Sequence, residues 1–268
     1  MTSVPLALTI AGSEATGGAG AQADLRTFQA HDVFGVVALT CIVSFDPKAD
    51  WGHRFVPVEP QVITDQLEAI TAAYDRDQLS VTKIGMLGTP ATIDTVAEAL
   101  RQRPFDQIVL DPVLICKGQE PGAALDTDTA LKAHVLPLAT FVTPNHFEAE
   151  SLSGMQIRTV EDLTEAARRI HESCGAAVLA KGGVRLPGPD AVDVFVDGQT
   201  TEVLTAPKVG DVAVAGAGCT LAAAVAARLA LGDTPLDAAR AAKAFVTDGI
   251  RSRLQSQAPF DVVRQQAV

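Results

Sequence analysis

Short, largely apolar runs alternate with longer amphipathic stretches along most of the chain. Leu6–Ala11, Val36–Val43, Val81–Ile84, Ile108–Leu110, Thr140–Val142 and Ala177–Ala180 have the pattern of strands covered on both faces. Between them, Ala21–Ala30, Pro60–Ala73, Pro90–Arg101, Asp128–Val135, Phe147–Leu152 and Val160–Glu172 repeat apolar positions at helical spacing. Start signals reinforce two of these: Thr89 stands before Pro90, and Thr159 stands before Glu161 and Asp162. Ala191–Val196 and Thr201–Leu204, joined through Asp197-Gly198, read as a hairpin, and helices over Cys219–Leu231 and Thr234–Arg253 come after it. This alternation predicts an α/β domain with a mainly parallel central sheet and helices on both faces. Without repeat or linker, residues 1–268 read as one domain, with the Gln-rich residues 255–268 as a loosely held tail.

Composition narrows the function classes. The 268 residues carry a net charge of −11, which argues against a nucleic-acid partner, since phosphate backbones need a basic face. The apolar stretches stop short of the ~18–20 residues of a membrane span, so no membrane partner is expected. Met1–Ile10 has no basic segment before its apolar run and reads as a first strand rather than a secretion signal. Cys41, Cys116, Cys174 and Cys219 form no Cys-x-x-Cys pair and no zinc spacing, which points to a cytoplasmic protein with reduced thiols. Cys41 and Cys174 fall in a strand and at a helix end; Cys116 and Cys219 fall in loops beside glycine and charge.

Candidate chemistry gathers where strands end. Gly12–Gly20 comes after the first strand, Gly85-Met86-Leu87 after the third, and Asp111-Pro112-Val113 after the fourth, with Cys116-Lys117-Gly118 beyond it. Thr143-Pro144-Asn145 with Glu148 comes after the fifth, and Lys181-Gly182-Gly183 after the sixth. In parallel sheets ligands collect at this carboxyl edge. Gly216-Ala217-Gly218-Cys219-Thr220 opens a helix, where unpaired amides and the positive dipole end favour an anion and a thiolate.

These motifs, in this order, resemble the ribokinase superfamily, in its branch of vitamin-B6 and hydroxymethylpyrimidine kinases; the resemblance spans residues 5–255. It implies a three-layer α/β/α fold, a homodimer, and transfer of the γ-phosphoryl group of ATP, with Mg²⁺, to a hydroxymethyl group on a heteroaromatic ring. Ala38-Leu39-Thr40 is followed by Cys41-Ile42, so apolar Ile42 stands where a glutamine reads the pyrimidine in hydroxymethylpyrimidine kinases. With Ile42–Pro47, Trp51, His53 and Cys116-Lys117-Gly118, the chain is more similar to the dual-cysteine pyridoxal kinases. Pyridoxal is the first expected substrate, with pyridoxine and pyridoxamine beside it. Hydroxymethylpyrimidine phosphorylation is the alternative, and a non-catalytic pyridoxal- or nucleotide-binding protein is an alternative of a different class.

The resemblance implies roles residue by residue. Cys219 is the base, with a pKa lowered toward neutrality, and the amides of Gly216, Ala217 and Gly218 form the anion hole. Cys116 adds to the pyridoxal aldehyde. Gly12, Asp24, Gly85, Met86 and Val113 line the substrate. Lys117, Asn145, Lys181, Gly182, Gly183 and Gly216 hold the nucleotide. Asp111 and Glu148 act on Mg²⁺, partly through water. Two places depart from the usual pattern: Val214-Ala215 replace Thr-His, and Glu14-Ala15-Thr16 replace Asp-Ser-Ser.

Overall fold

The computed structural model describes residues 4–114 and 121–266. The strands are β1 (Leu6–Glu14), β2 (Phe34–Asp46), β3 (Gly52–Pro57), β4 (Val81–Ile84), β5 (Gln107–Leu110), β6 (Phe141–Val142), β7 (Ala177–Lys181), β8 (Asp190–Val196) and β9 (Thr201–Pro207). They form one sheet in the order β3-β2-β1-β4-β5-β6-β7-β8-β9. Pairs from β2 through β7 are parallel, while β3, β8 and β9 join antiparallel. The helices are α1 (Gly20–Ala30), α2 (Pro60–Ala73), α3 (Pro90–Gln102), α4 (Pro121–His134), α5 (His146–Ser153), α6 (Val160–Cys174), α7 (Ala217–Ala230) and α8 (Pro235–Arg251).

Alternate strand residues face opposite layers, and each layer is sealed by apolar contact. Leu8, Ile10, Ile84 and Leu110 pack against Ile63, Ile93, Val96 and Leu131 of α2, α3 and α4. Ala7, Val81, Val109 and Phe141 face Phe28 of α1 and the α7–α8 pair. α7 is buried on nearly every side, and its run of alanines keeps it narrow enough to lie close to the sheet. Thr89 and Thr159 cap α3 and α6 as their positions predict.

Strand order reverses between β1 and β4: the chain leaves β1 for β2 on one side and returns to β4 on the other. Such a switch point opens a crevice outside the carboxyl ends of those strands, at Gly12–Glu14 and Gly85–Leu87.

Three expectations change. β2 runs on to Asp46 and folds back as β3, whose half-polar sequence gave little apolar signal; the register of Ile42 with Val56 holds the pair together. α4 begins at Pro121 rather than Asp128. The tail is not loose at residues 261–265: Val263 is 2% exposed and Gln265 7%, and the segment is pinned by the bonds Ala215 N–H to Asp261 O (2.9 Å) and Leu254 N–H to Val262 O (2.8 Å).

Candidate active site

The loop after β1 and the loop before α7 meet backbone to backbone. Gly216 caps α7 at φ 81°, and a Cβ there would fall 1.8 Å from the carbonyl oxygen of Gly18. Only glycine satisfies both conditions. Gly20 is held equally close: a Cβ would lie 2.2 Å from the Gly12 carbonyl oxygen, and one on Gly12 would meet Cys41 Sγ at 2.4 Å. Gly12 therefore abuts the core thiol of Cys41, whose pKa burial pushes up to about 11.

Glu14 explains why Glu14-Ala15-Thr16 is compatible with this loop. Its carboxylate accepts from Thr16 N (2.6 Å), Thr16 Oγ1 (2.8 Å), Gly18 N (3.0 Å) and Ala19 N (3.2 Å). The longer side chain curls the loop around itself.

α7 starts without a side-chain cap: the Ala217 amide makes a long bond of 3.3 Å to the Val214 carbonyl, and no side chain of the cap residue takes the first-turn amides of Gly218 and Cys219. A side chain on Gly218 would begin 3.4 Å from Lys181 Nζ and 3.7 Å from the Asp111 carboxylate. Lys181 Nζ in turn pairs with Asp111 Oδ1 at 3.2 Å. Burial acts to lower the Lys181 pKa, but the charges of Asp111 and Glu148 outweigh it and hold the ammonium protonated.

Glu148 and Asn145 form the reciprocal capping box of α5, with Glu148 Oε2 accepting from Asn145 N at 2.8 Å and Asn145 Oδ1 accepting from Glu148 N at 3.1 Å. Burial pushes Glu148 up to about 8; Lys181 opposes this and the Asp111 carboxylate adds to it. Two crowded carboxylates with one lysine between them leave room for more positive charge. No group of three or more His, Cys, Asp or Glu side chains capable of holding a metal occurs among the described residues. That donor set fits Mg²⁺, which takes one or two carboxylates and fills its sphere with water and phosphate oxygens.

Two expectations for named residues are corrected. Asp24 is not an open carboxylate at the crevice surface but the partner of a buried lysine. It is fully buried, accepts Thr9 Oγ1 at 2.6 Å, and holds Lys83 Nζ at 2.9 and 3.1 Å. The pair lies under the site, since a Cβ on Gly85 would be 2.7 Å from Lys83 Nζ. The Cys219 pKa is also not lowered. Burial pushes it up to about 11; Lys83 pulls down, Asp111 and Asp24 push up, and the Gly20 amide pulls down. Desolvation outweighs the helix dipole here.

Gly85 is buried and Met86 half-buried, with the Met86 carbonyl accepting Thr40 Oγ1 at 2.6 Å. Val113 is half-buried, just beyond the end of β5. Gly182 packs at 2.5 Å from Leu186 and the Val192 carbonyl, as judged by a Cβ placed on it, while Gly183 at φ 56° has open space around it. Cys116 and Lys117 lie outside the described residues.

Residues 14–263 match the phosphomethylpyrimidine kinase family. The chain belongs to that family. Within this kinase family, pyridoxine kinase of Bacillus subtilis is 44% identical over 91% of this chain and 90% of its own length. Among solved structures, an ADP complex of Bacillus subtilis pyridoxal kinase superimposes with a TM-score of 0.91 at 40% identity, covering 98% of both chains. Pyridoxal kinase from Staphylococcus aureus in complex with AMP-PCP and pyridoxal gives 0.89 at 37% identity, covering 98% of this chain and 94% of that one. The fold is accordingly ribokinase-like, and the protein is a kinase of the vitamin-B6 and hydroxymethylpyrimidine branch.

Sequence reasoning passed over Lys83 and Glu14 as functional supports. Lys83 carried a signal: a lysine inside a doubly covered strand requires a buried partner, and Asp24 sits on the neighbouring helix.

Proposed function

We propose that this protein phosphorylates pyridoxal at its hydroxymethyl group, converting ATP and pyridoxal to ADP, pyridoxal 5′-phosphate and a proton. One observation carries the reading: the first turn of α7, bearing Cys219, meets the Lys181–Asp111 pair. In this arrangement the substrate hydroxyl attacks the γ-phosphorus as its bond to the β-phosphate oxygen breaks. The amides of Ala217, Gly218 and Cys219 receive the developing charge on the transferring group. The Cys219 thiolate takes the hydroxyl proton. Lys181 lies along the nucleotide phosphates, with Gly182 and Gly183 beside it, and Asn145 also faces the nucleotide; Lys117 belongs to this reading through its charge alone. Asp111 and Glu148 would hold Mg²⁺, which screens the phosphate charge. Gly12, Gly85, Met86 and Val113 line the ring. Homodimeric assembly belongs to the same reading, supported by the exposed apolar side chain of Val56 on the edge strand β3. So does the cytoplasm, where Cys219 stays reduced; no helix among the described residues is long and apolar enough to cross a membrane.

Ile42 favours pyridoxal over the pyrimidine. It pairs in register with Ser13 at the carboxyl end of β1 and is 44% exposed at the rim of the crevice. A branched alkyl side chain offers nothing to a pyrimidine amine, and an unpaired polar group on the substrate is penalised. The direct test supplies equal pyridoxal and hydroxymethylpyrimidine with MgATP at limiting enzyme and counts the phosphorylated products. Pyridoxal 5′-phosphate is expected to dominate, and predominance of the pyrimidine phosphate would reverse the assignment. Ile42→Gln is expected to move the product ratio toward the pyrimidine by about tenfold or more.

Cys116 belongs to the proposal through chemistry rather than position: a thiol adding across the pyridoxal aldehyde gives a hemithioacetal. Cys116→Ala is expected to raise KM for pyridoxal and leave pyridoxine, which lacks the aldehyde, unaffected. Equal effects on the two substrates would remove the covalent role.

A further inference from the structure

The C-terminal segment closes over the phosphoryl-transfer loops with specific contacts. Gln265 is 7% exposed; its Nε2 donates to Thr220 Oγ1 at 3.1 Å, and its Oε1 accepts from Arg26 Nε at 3.1 Å. Thr220 is the residue next to Cys219 and is fully buried in the first turn of α7. Arg26 carries the connection onward to the carbonyl of Gly17. One amide side chain thereby joins the turn that bears the base to the glycine loop that packs on it.

The rest of the segment supports that bridge. The Val262 methyl occupies the space a Cβ on Gly18 would need, 2.4 Å away. Val263 N–H donates to Ala215 O at 3.1 Å, and Ala215 N–H donates to Asp261 O at 2.9 Å. The chain just before Gly216 is therefore paired like a strand with the tail. Arg264 N–H donates to Gly249 O at 3.2 Å, and Arg253 pairs with Asp261 at 2.8 Å. Phe260 stacks at 5.1 Å from Phe45 and 6.1 Å from Trp51, which reaches the β2–β3 hairpin.

We infer that residues 260–265 are a positioning element of the active site, in which Gln265 fixes the first turn of α7 relative to the Gly17-Gly18 loop. The physical reason is geometric. Donors aimed at a moving phosphoryl group lose much of their effect when misplaced by an ångström. The approach to Gly216 carries only Val214 and Ala215, whose side chains make no hydrogen bonds of their own. Order there comes from main-chain pairing with the tail and from Gln265 behind Thr220.

The inference rests on the kinase reading for its kinetic arm. Gln265→Met keeps the volume and removes both hydrogen bonds. It is expected to lower kcat for pyridoxal about tenfold with KM nearly unchanged, while the stranded Thr220 hydroxyl lowers the melting temperature by only a few degrees and leaves the protein folded under assay conditions. Gln265→Leu also removes both hydrogen bonds with an apolar side chain, and serves in place of the Met variant if that protein does not fold. Iodoacetamide labelling of Cys219, with mass spectrometry of its peptide, reads the geometry of the turn without any turnover. The rate is expected to change at least threefold in the variants, because the residue beside the sulfur loses its anchor. Unchanged kcat and unchanged Cys219 labelling in a folded variant would overturn the inference. So would a loss of kcat that only tracks the fraction of unfolded protein. If the wild-type protein showed no pyridoxal phosphorylation, the kinase reading would fail while the labelling arm still decided this one.

Discussion

Cys219→Ala is expected to lower kcat for pyridoxal phosphorylation by about 10²–10⁴-fold, the range of a positioned general base, while KM changes little. The anion hole is built from backbone amides and survives the substitution, so the loss should fall on turnover rather than binding. The sulfur is an unusual base, because burial holds its pKa at about 11 rather than near neutrality. At pH 7 roughly one molecule in 10⁴ then carries the thiolate. Its scarcity is partly offset by its basicity: a thiolate of high pKa accepts a proton more strongly than one tuned to neutrality. In loose phosphoryl transfer the hydroxyl becomes acidic only as its bond to phosphorus forms, so the proton leaves late. Thiolate increases as pH rises toward about 11, so kcat should climb with pH through the alkaline range instead of levelling near neutrality. A pH–rate series on wild type and Cys219→Asp checks this. The carboxylate titrates several units lower, and its activity limb should move to acid with it. Identical limbs in the two proteins would exclude residue 219 as the titrating base.

The carboxyl-edge location of the site was legible because parallel strands announce themselves as apolar runs, and the residues just past each run gather on one edge of the sheet. The capping threonines were legible because capping is local chemistry. The features that the pattern concealed depend on long-range packing. Asp24 is expected from the resemblance to line the substrate, and its pairing with Lys83, 59 residues away in the chain, has no local signal around Asp24. The thiol of Cys219 sits at a helix start, which alone favours ionisation; the opposing burial comes from elements the local sequence does not mention. The tail reads as polar and solvated because its order comes from main-chain bonds to Ala215 and from Gln265, neither of which leaves a periodic trace. β3 is similar: its sequence is half polar, and its existence depends on β2 overrunning the sheet.

Lys83→Met is expected to destabilise the fold by about 3–5 kcal/mol, because it strands the Asp24 carboxylate in a site with no access to water. For a chain of this size the melting temperature should fall by on the order of 10 °C. Both side chains of the pair are 0% exposed, so water cannot replace the missing ammonium as it would at a surface ion pair. Thr9 Oγ1 would still donate to the stranded carboxylate, which softens the loss without cancelling it. The double variant Lys83→Met, Asp24→Asn removes both charges while keeping the volume and an acceptor for Thr9. It is expected to regain most of the lost stability, since a buried ion pair contributes little over a neutral replacement of similar shape. Urea titrations of the wild type, the two single variants and the double variant give the coupling energy directly. Restored folding in the double variant also isolates the electrostatic contribution of the pair at Cys219. Lys83 is the strongest charge drawing that thiol toward ionisation, and Asp24 opposes it, so losing both should move the alkaline rise of kcat less than losing Lys83 alone. A double variant as unstable as Lys83→Met would mean that the lysine supports the fold through its packing under Gly85 rather than through its charge.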